Sequence, residues 1–233
     1  MWWGIGKLLR WFKFFLLVIA LLCACPVLAD GKLTQLSGVV QVKKADGRTL
    51  TAALGMKVQQ GDSLLTGDDG FVCLLMSDGG KLVLRPGTQI KIEAYQFDQD
   101  QPQHDQFVFS TLKGGLRALS GLISKRGQRD AYQANTHTAT IGIRGTEYDL
   151  RVCEPRPDKK NDCDGLAEGT YLSVIVGAIV VSNERGYIDL MAGQFGFAPP
   201  NLPPVVLRRD PGVSFMLPTD FDDTADGALE CSI

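Results

Sequence analysis

The stretch of sequence that decides how the fold is interpreted is residues 136–152, THTATIGIRGTEYDLRV. Apolar residues alternate over 141–143 and again over 148–152, but the two runs have opposite parity. Successive side chains of a β-strand point to opposite faces, so the buried face must switch between the runs. The simplest device is a β-bulge at Gly145, which the sequence therefore predicts.

Arg144 precedes this predicted bulge. A bulge at Gly145 is expected to aim Arg144 inward or along the sheet, with Glu147 or Asp149 as a partner. A guanidinium at this position suits recognition of a carboxylate or phosphate, because its donors form a planar fork. The alternative is a structural ion pair that ties the bulged strand to a neighbouring loop. The sequence offers no second basic residue nearby, which favours the structural interpretation.

Outward from this stretch, short apolar runs alternate with polar turns. Asp46-Gly47 and Asp78-Gly79 are dipeptides typical of hairpin turns with positive φ, and a third hairpin is predicted before Gly186. Residues 107–112 and 116–123 read as two separate strands, the second interrupted by Gly121. The pattern predicts an all-β domain: an antiparallel-rich β-sandwich or β-roll, with a short β-solenoid as the alternative.

The first 29 residues have the pattern of a signal peptide. Three spaced basic residues precede the apolar run Phe14–Cys25, which is too short to span a membrane but suits an export signal. Cleavage is expected between Ala29 and Asp30. Two alternatives remain: lipidation of Cys25 in a lipobox-like stretch, or an uncleaved anchor. Each places residues 30–233 outside the inner membrane.

The part of the chain after residue 29 is acidic. It carries 21 Lys and Arg against 26 Asp and Glu, a formal charge of −5. A polyanion-binding protein normally has the opposite balance, so nucleic acid is not an expected partner. From residue 199 the chain becomes rich in proline and then in aspartate. We expect residues 199–233 to form an extended tail that lies on the domain and ends in a frayed acidic segment.

The cysteines of the exported part suggest one disulfide. Cys153 and Cys163 flank a polar, proline-containing loop, and an oxidising compartment favours closing it with a disulfide. A metal site is a poor alternative, since the spacing is wide and no histidine lies nearby. Cys73 lies in an apolar run and is most simply a buried small residue; the alternative is a disulfide with Cys231, for which the sequence offers no argument.

Taken together, these motifs resemble the FecR domain, a periplasmic module. The resemblance rests on four elements in order: residues 61–67 (GDSLLTG), Asp78-Gly79 with residues 82–84, residues 114–117 (GGLR), and residues 136–148. In the last element the motif positions are Thr138, Ile141, Gly142, Arg144, Gly145, Thr146 and Tyr148. The resemblance extends over about residues 36–198 and implies a structural or interaction role for these positions.

FecR-type sigma regulators add a cytoplasmic helical domain and a further signalling domain. The segments before residue 14 and after residue 198 are too short for these, so the resemblance implies a free-standing exported FecR domain. The expected organisation is a signal peptide at 1–29, a FecR-like all-β domain at 30–198 and the tail at 199–233.

Catalytic and metal motifs are scarce in the sequence. His104 and His137 stand apart, and no zinc, redox, nucleophile-elbow or phosphate-loop motif occurs. Gly61-Asp62 and residues 68–70 offer oxygens for calcium but occupy turn positions. We therefore expect no catalysis, cofactor or metal.

Two functions remain open. The first is binding of another envelope or outer-membrane protein, with membrane contact only through an uncleaved leader or a lipidated Cys25. The alternative is binding of a glycan or cell-wall polymer on an aromatic platform, for which the candidates are Tyr95, Phe97, Phe107 and Phe109. That aromatic alternation is more typical of core packing.

Overall fold

The structure is a computed structural model that describes residues 30–128, 130–154, 163 and 165–213. The predicted leader, with Cys25 and Ala29, lies outside these residues. So does the acidic end of the tail from residue 214. Within the described residues, no helix is both long enough and apolar enough to cross a membrane.

The described chain is almost entirely β-structure. The first eight strands are β1 (Gly31–Ser37), β2 (Val40–Lys43), β3 (Thr49–Thr51), β4 (Lys57–Val58), β5 (Ser63–Thr66), β6 (Phe71–Met76), β7 (Lys81–Leu84) and β8 (Gln89–Gln96). The others are β9 (Gln106–Leu119), β10 (Tyr132–Asn135), β11 (Thr140–Cys153), β12 (Gly169–Asn183), β13 (Gly186–Met191), β14 (Phe195–Ala198) and β15 (Val205–Leu207). A 3-10 turn, η1 (Pro102–His104), and a short helix, α1 (Ile123–Arg126), complete the described elements.

The 15 strands form one continuous hydrogen-bonded sheet that folds into two halves. Half-sheet 1 has the order β3-β2-β5-β8-β9-β10-β11-β12-β13, and half-sheet 2 has the order β4-β1-β6-β7-β9-β11-β12-β14-β15. Strands β9, β11 and β12 run through both halves. Among the described strands, β9 and β10 pair in parallel and all other pairs are antiparallel. The all-β, antiparallel-rich prediction is confirmed, and the sandwich-like arrangement excludes the solenoid alternative.

Each shared strand bends at a glycine with positive φ where it passes from one half-sheet to the other. These are Gly114 at 80°, Gly145 at 62° and Gly177 at 82°. A Cβ on Gly177 would lie 2.5 Å from the Gly145 carbonyl oxygen, so the backbones of β11 and β12 approach too closely for a side chain. The register of β11 shifts between Arg144 and Glu147, which confirms the predicted bulge at Gly145.

Strand β9 corrects the sequence interpretation of residues 107–123. They were expected to form two strands, but β9 runs unbroken from Gln106 to Leu119 and the chain then enters α1. The reason is that Gly114 bends the strand without ending it. The three predicted hairpins are present as the antiparallel pairs β2–β3, β6–β7 and β12–β13.

One hydrophobic core lies between the two half-sheets. Inward residues of every long strand contribute to it, and Phe107 and Tyr132 pack edge to face with ring centroids 5.0 Å apart. Tyr95 of half-sheet 1 also reaches the β6–β7 turn of half-sheet 2, where its hydroxyl accepts a hydrogen bond from the Asp78 backbone N–H at 3.0 Å. These contacts join the halves through a common interior.

The buried carboxylate of Asp78 positions α1. Its Oδ2 accepts a hydrogen bond from the Ile123 backbone N–H at 3.2 Å, and its Oδ1 accepts one from Gly80 at 3.1 Å. Burial raises the pKa of Asp78, and these hydrogen bonds partly oppose that effect. The helix is therefore fixed beside the bend of β11.

The proline-rich segment contributes a strand to the sheet. Strand β15, within the predicted tail, pairs with β14, and Val213 is buried beside Cys153 and Tyr171. The start of the tail thus lies on the domain, at the β12 side of half-sheet 2.

Candidate functional site

A groove of about 640 Å³ lies on the outer face of half-sheet 1. We call it the Arg144 groove. Strands β10 to β13 form its floor, and α1 with the following loop forms one wall. The lining residues used below are Lys125, Asp130, Gly142, Arg144, Val180, Asp189 and Met191.

The alternation of β11 places two of the motif positions, Gly142 and Arg144, in this groove. Ile141 and Ile143 point into the core, so Gly142 and Arg144 point outward. A Cβ added to Gly142 would meet no atom within 4 Å, so the floor is open at this position. Arg144 is exposed and stands immediately before the bend at Gly145.

The wall of the groove is held by hydrogen bonds at the bend of β11. The Gly145 backbone N–H donates to Ser124 Oγ at 3.3 Å, and the Thr146 backbone N–H donates to Ser120 Oγ at 2.8 Å. Thr146 Oγ1 donates to the Ala178 carbonyl at 2.8 Å, which joins β11 to β12. Arg144 therefore projects from a backbone fixed on both sides.

The groove combines charge with exposed apolar surface. Lys125 and Arg144 are exposed cations, and Asp130 and Asp189 are exposed anions. Val180 is 43% exposed and Met191 is 54% exposed. A surface that mixes apolar side chains with separated charges suits recognition of a protein segment better than catalysis, which needs convergent reactive groups.

The orientation expected for Arg144 from the sequence was wrong. Arg144 points to solvent, and within the described residues it has no hydrogen-bond or ion-pair partner. Asp149, one of its expected partners, accepts a bidentate pair of hydrogen bonds from Arg117 at 2.7 and 3.0 Å. The physical reason is that the extra residue of the bulge is Gly145, which comes after Arg144. Ile143 points into the core, so Arg144, the next residue of the regular strand, points outward.

The remaining motif positions have structural environments. Ile141 and Tyr148 are buried in the core, and Gly145 makes the bend. Thr138 is buried, and its Oγ1 lies 2.7 Å from Thr170 Oγ1. Gly142 and Arg144 are thus the motif residues that reach the groove.

Cys153 and Cys163 are joined by a disulfide with Cα atoms 5.6 Å apart, as the sequence predicts. Cys73 is buried, as the sequence predicts, and it is disulfide-bonded. Cys231 lies outside the described residues.

The acidic turns have structural roles. Asp62 is buried and accepts hydrogen bonds from Lys44 Nζ, from the Ala45 N–H at 3.0 Å and from the Gln59 N–H at 2.9 Å. Asp69 Oδ1 accepts a hydrogen bond from the Val39 N–H at 3.3 Å. No group of three or more metal-ligating side chains occurs in the part of the chain that the structure describes.

The aromatic platform considered for glycan binding is buried. Tyr95, Phe107 and Phe109 are all at most 3% exposed and belong to the core. Phe97 is partly buried, and Arg126 lies over its ring, with Cζ 4.8 Å from the centroid. The packing interpretation of this cluster is correct, and the platform interpretation is wrong.

Sequence reasoning identified Arg144 and Gly142 but missed the rest of the groove. Val180 and Met191 belong to the β12–β13 hairpin, whose alternation the sequence shows, but their position beside Arg144 depends on strand order. Lys125 was missed because residues 116–123 were read as a strand that ends before it. No sequence signal joins these residues.

The family comparison agrees with the motif reading. A model of the family described as "FecR protein" matches residues 62–164, a shorter stretch than the sequence resemblance suggested. A search of curated proteins found no match to this chain.

Three solved structures show weaker similarity. Two are crystal structures of candidate anti-sigma factors from Parabacteroides distasonis, with 13% and 12% identity and TM-scores of 0.46 and 0.43. In both cases the match covers 64% of this chain and 60% of the other. The third is a cell surface anchoring domain with 30% identity and a TM-score of 0.26, matched over 27% of this chain and 83% of that domain.

With TM-scores below 0.5, these structural similarities carry no weight for fold or function. The assignment rests on the family model and on the motifs it spans. Residues 62–164 of this chain therefore match the family described as "FecR protein".

Proposed function

We propose that this protein is an exported, non-catalytic FecR-domain module that binds another envelope or outer-membrane protein through the Arg144 groove. The observation that carries the proposal is the exposed Arg144 guanidinium, which lies at a fixed bend and lines the same groove as the exposed apolar side chains of Val180 and Met191. Arginine beside apolar surface is the combination enriched in the energetically important parts of protein interfaces.

The partner surface is expected to present a carboxylate to Arg144 and an apolar side chain to Val180 and Met191. The guanidinium pairs with a carboxylate through two parallel hydrogen bonds, which fixes orientation as well as adding affinity. The open floor at Gly142 leaves room for such a side chain. The overall acidic charge disfavours nucleic acid as the partner.

Site-specific photo-crosslinking in living cells tests this proposal. A photoreactive residue at position 180 should form a discrete protein adduct, because this position lies in the groove. The matched control is position 54, where Leu54 is 67% exposed but lies outside the groove. Equal adducts at both positions would contradict the proposal.

The role of Arg144 is tested on the same adduct. Arg144→Glu should reduce the yield at position 180 at least 10-fold, and Arg144→Lys should reduce it less because the charge remains. Both variants should unfold at the wild-type urea concentration, since Arg144 is exposed. An adduct that survives Arg144→Glu, or that contains carbohydrate instead of protein, counts against the proposal.

Export itself is part of the proposal and has a direct measurement. Intact mass of protein recovered from the envelope should correspond to a chain that begins at Asp30. A mass with a lipid on Cys25 would replace signal cleavage with lipoprotein anchoring, and a cytoplasmic full-length chain would contradict export.

A further inference from the structure

Strand β13 ends half-sheet 1, and among the described strands it pairs with β12 alone. The other terminal strands are short: β3 and β15 have three residues each and β4 has two, whereas β13 has six. Strand β15 is also bounded by Pro203-Pro204 and Arg208-Arg209. Shortness, prolines and basic side chains prevent an edge strand from pairing with another chain. Strand β13 (GYIDLM) has none of these features.

The pairing with β12 determines which backbone groups of β13 point to its outer edge. The Ala192 backbone N–H donates a hydrogen bond to the Gly177 carbonyl at 3.0 Å, in the same register as β13. In an antiparallel pair, residues bonded to the neighbouring strand alternate with residues whose N–H and C=O point the other way. The even-numbered residues of β13 therefore face β12. Tyr187, Asp189 and Met191 direct their backbone N–H and C=O to the outer edge.

Tyr187 and Asp189 are the two residues whose edge groups are available. The Met191 N–H donates to Gln194 Oε1 at 2.8 Å, and the Met191 carbonyl accepts a hydrogen bond from the Gln194 N–H at 3.0 Å. Tyr187 and Asp189 have no backbone partner at this edge among the described residues. Tyr187 is 71% exposed, and Asp189 is also exposed. The edge thus presents two N–H and two C=O groups to solvent.

We propose that a second copy of this chain pairs antiparallel with the outer edge of β13, around a two-fold axis at Ile188. Tyr187 of each copy then lies opposite Asp189 of the other, and each of these two pairs exchanges both of its hydrogen bonds. The two Ile188 side chains meet on the inner face, beside the core against which Ile188 already packs. The dimer is closed, because both copies use the same edge.

Hydrogen bonding and charge together select this register. An axis at Tyr187 pairs Tyr187 with its copy and leaves Asp189 unpaired. An axis at Asp189 places two carboxylates directly opposite each other, which is destabilising. With the axis at Ile188, Arg185, exposed in the turn before β13, comes diagonally beside Asp189 of the other copy. Opposite charges on neighbouring strands attract, so the edge of β13 is complementary to a second copy of itself.

The dimer joins two copies of half-sheet 1 into one continuous sheet. Residues that lie opposite each other in a sheet point to the same face, so both Arg144 grooves open on the same side. Five strand spacings, about 24 Å, separate the two β11 strands. The dimer therefore presents two grooves to one partner surface. The pairing itself uses the edge of β13 and does not depend on what the groove binds, so either proposal stands if the other fails.

Cysteine crosslinking of the full chain recovered from the envelope tests the register. In Ile188→Cys, the two new thiols lie opposite each other, and mild oxidation should give a covalent dimer that reductant reverses. The matched control is Asp189→Cys, a more exposed position whose Cα lies about 8 Å from its copy in this register. That separation is too long for a disulfide, so dimer yield should be about 10-fold lower than at position 188. Equal yields at the two positions, or no dimer at position 188, overturn the proposal.

Sedimentation equilibrium over a dilution series tests the dimer with surface changes alone. Arg185→Glu should weaken dimerisation about 10-fold, because two symmetric attractive pairs become repulsive. Arg185→Glu with Asp189→Lys should restore it. The matched control, Arg48→Glu beside the edge of β3, makes the same change in net charge and should leave dimerisation unchanged. A wild-type chain that is monomeric at every concentration, or equal weakening by Arg185→Glu and Arg48→Glu, overturns the proposal.

Discussion

The two outer faces of this protein are built from the same strands but have opposite exposure. On half-sheet 1, the cross-strand row Gln133, Gly142, Val180 and Asp189 opens into the Arg144 groove. On half-sheet 2, the outward residues Cys73, Val83 and Asp149 are at most 1% exposed, and Asp149 is paired with the half-buried Arg117. Strands β11 and β12 contribute to both faces. Strand alternation therefore sets which side chains point outward, whereas tertiary packing sets how exposed each outward side chain is.

The difference matters for function. The outer face of half-sheet 1 has exposed side chains that a partner can contact, whereas outward charged side chains on half-sheet 2 already pair with each other. An exposed arginine and a buried arginine have the same chemistry but different uses. In the proposed function, Arg144 donates hydrogen bonds to a carboxylate of the partner, whereas Arg117 already donates to Asp149. The groove is thus the surface on which an interaction is expected, and the following changes test the contrast between the faces.

The largest expected effect is on the buried face. Asp149→Ala should lower the free energy of unfolding by about 3–5 kcal/mol, because it leaves Arg117 partly buried without its carboxylate. Urea denaturation measures the change. Asp189→Ala, at an exposed position of the groove, is the control and should alter stability by at most about 0.5 kcal/mol. Equal losses of unfolding free energy in the two variants would show that the two faces do not differ in this way.

The next effect concerns the bends where the two faces separate. Gly177→Ala should cost about 3 kcal/mol, since an added Cβ meets the Gly145 carbonyl at 2.5 Å and the residue has a φ of 82°. Gly142→Ala is the control, because its Cβ meets nothing within 4 Å. If both alanine variants unfold at the wild-type urea concentration, the bend is not constrained by this contact.

The disulfide at the end of β11 should have a slightly smaller effect. Replacing Cys153 and Cys163 with alanine should lower stability by about 2.5 kcal/mol, the entropy of closing a loop of this length in the unfolded chain. Thermal or urea unfolding measures it. Crosslinking at position 180 should persist in this variant, because the groove lies at the other end of β11. If the variant lost the adduct at position 180 but kept wild-type stability, the disulfide would serve the groove and not the stability of the domain, contrary to this prediction.

The smallest effect is a pH dependence at the junction of the half-sheets. Burial raises the pKa of Asp78 above 3.8, so the folded protein holds this proton more tightly than the unfolded chain does. Its contribution to stability is fully present below pH 3.8 and is lost as pH rises through the folded pKa. The stability advantage of wild type over Asp78→Asn should therefore shrink from acidic to neutral pH. Urea midpoints measured across this range check it, and a constant difference would contradict it.

Much of the fold could be predicted from local patterns. The alternation in residues 141–152, the Asp-Gly turns and the switch in parity at Gly145 all report on a few neighbouring residues, and the structure agrees with each of them. Prediction failed at Gly114-Gly115. There, a bend within a strand has the same sequence signal as a break between two strands.

The candidate site could be predicted only in part. Sequence alone singled out Arg144 and Gly142 through a motif, but it gave Arg144 the wrong partner. The partner of Asp149 is Arg117, 32 residues away in the chain, and only the pairing of β9 with β11 places them together. Strand order and the position of α1, which the sequence does not show, likewise bring Val180, Met191 and Lys125 into the groove.

The sequence by itself thus determined the class of fold, the family motif and the location of the bulge, because each depends on alternation or backbone freedom over a short span. Tertiary structure alone decided which outward residues are exposed. That choice depends on strand order and on three glycine bends, which bring together residues far apart in the chain.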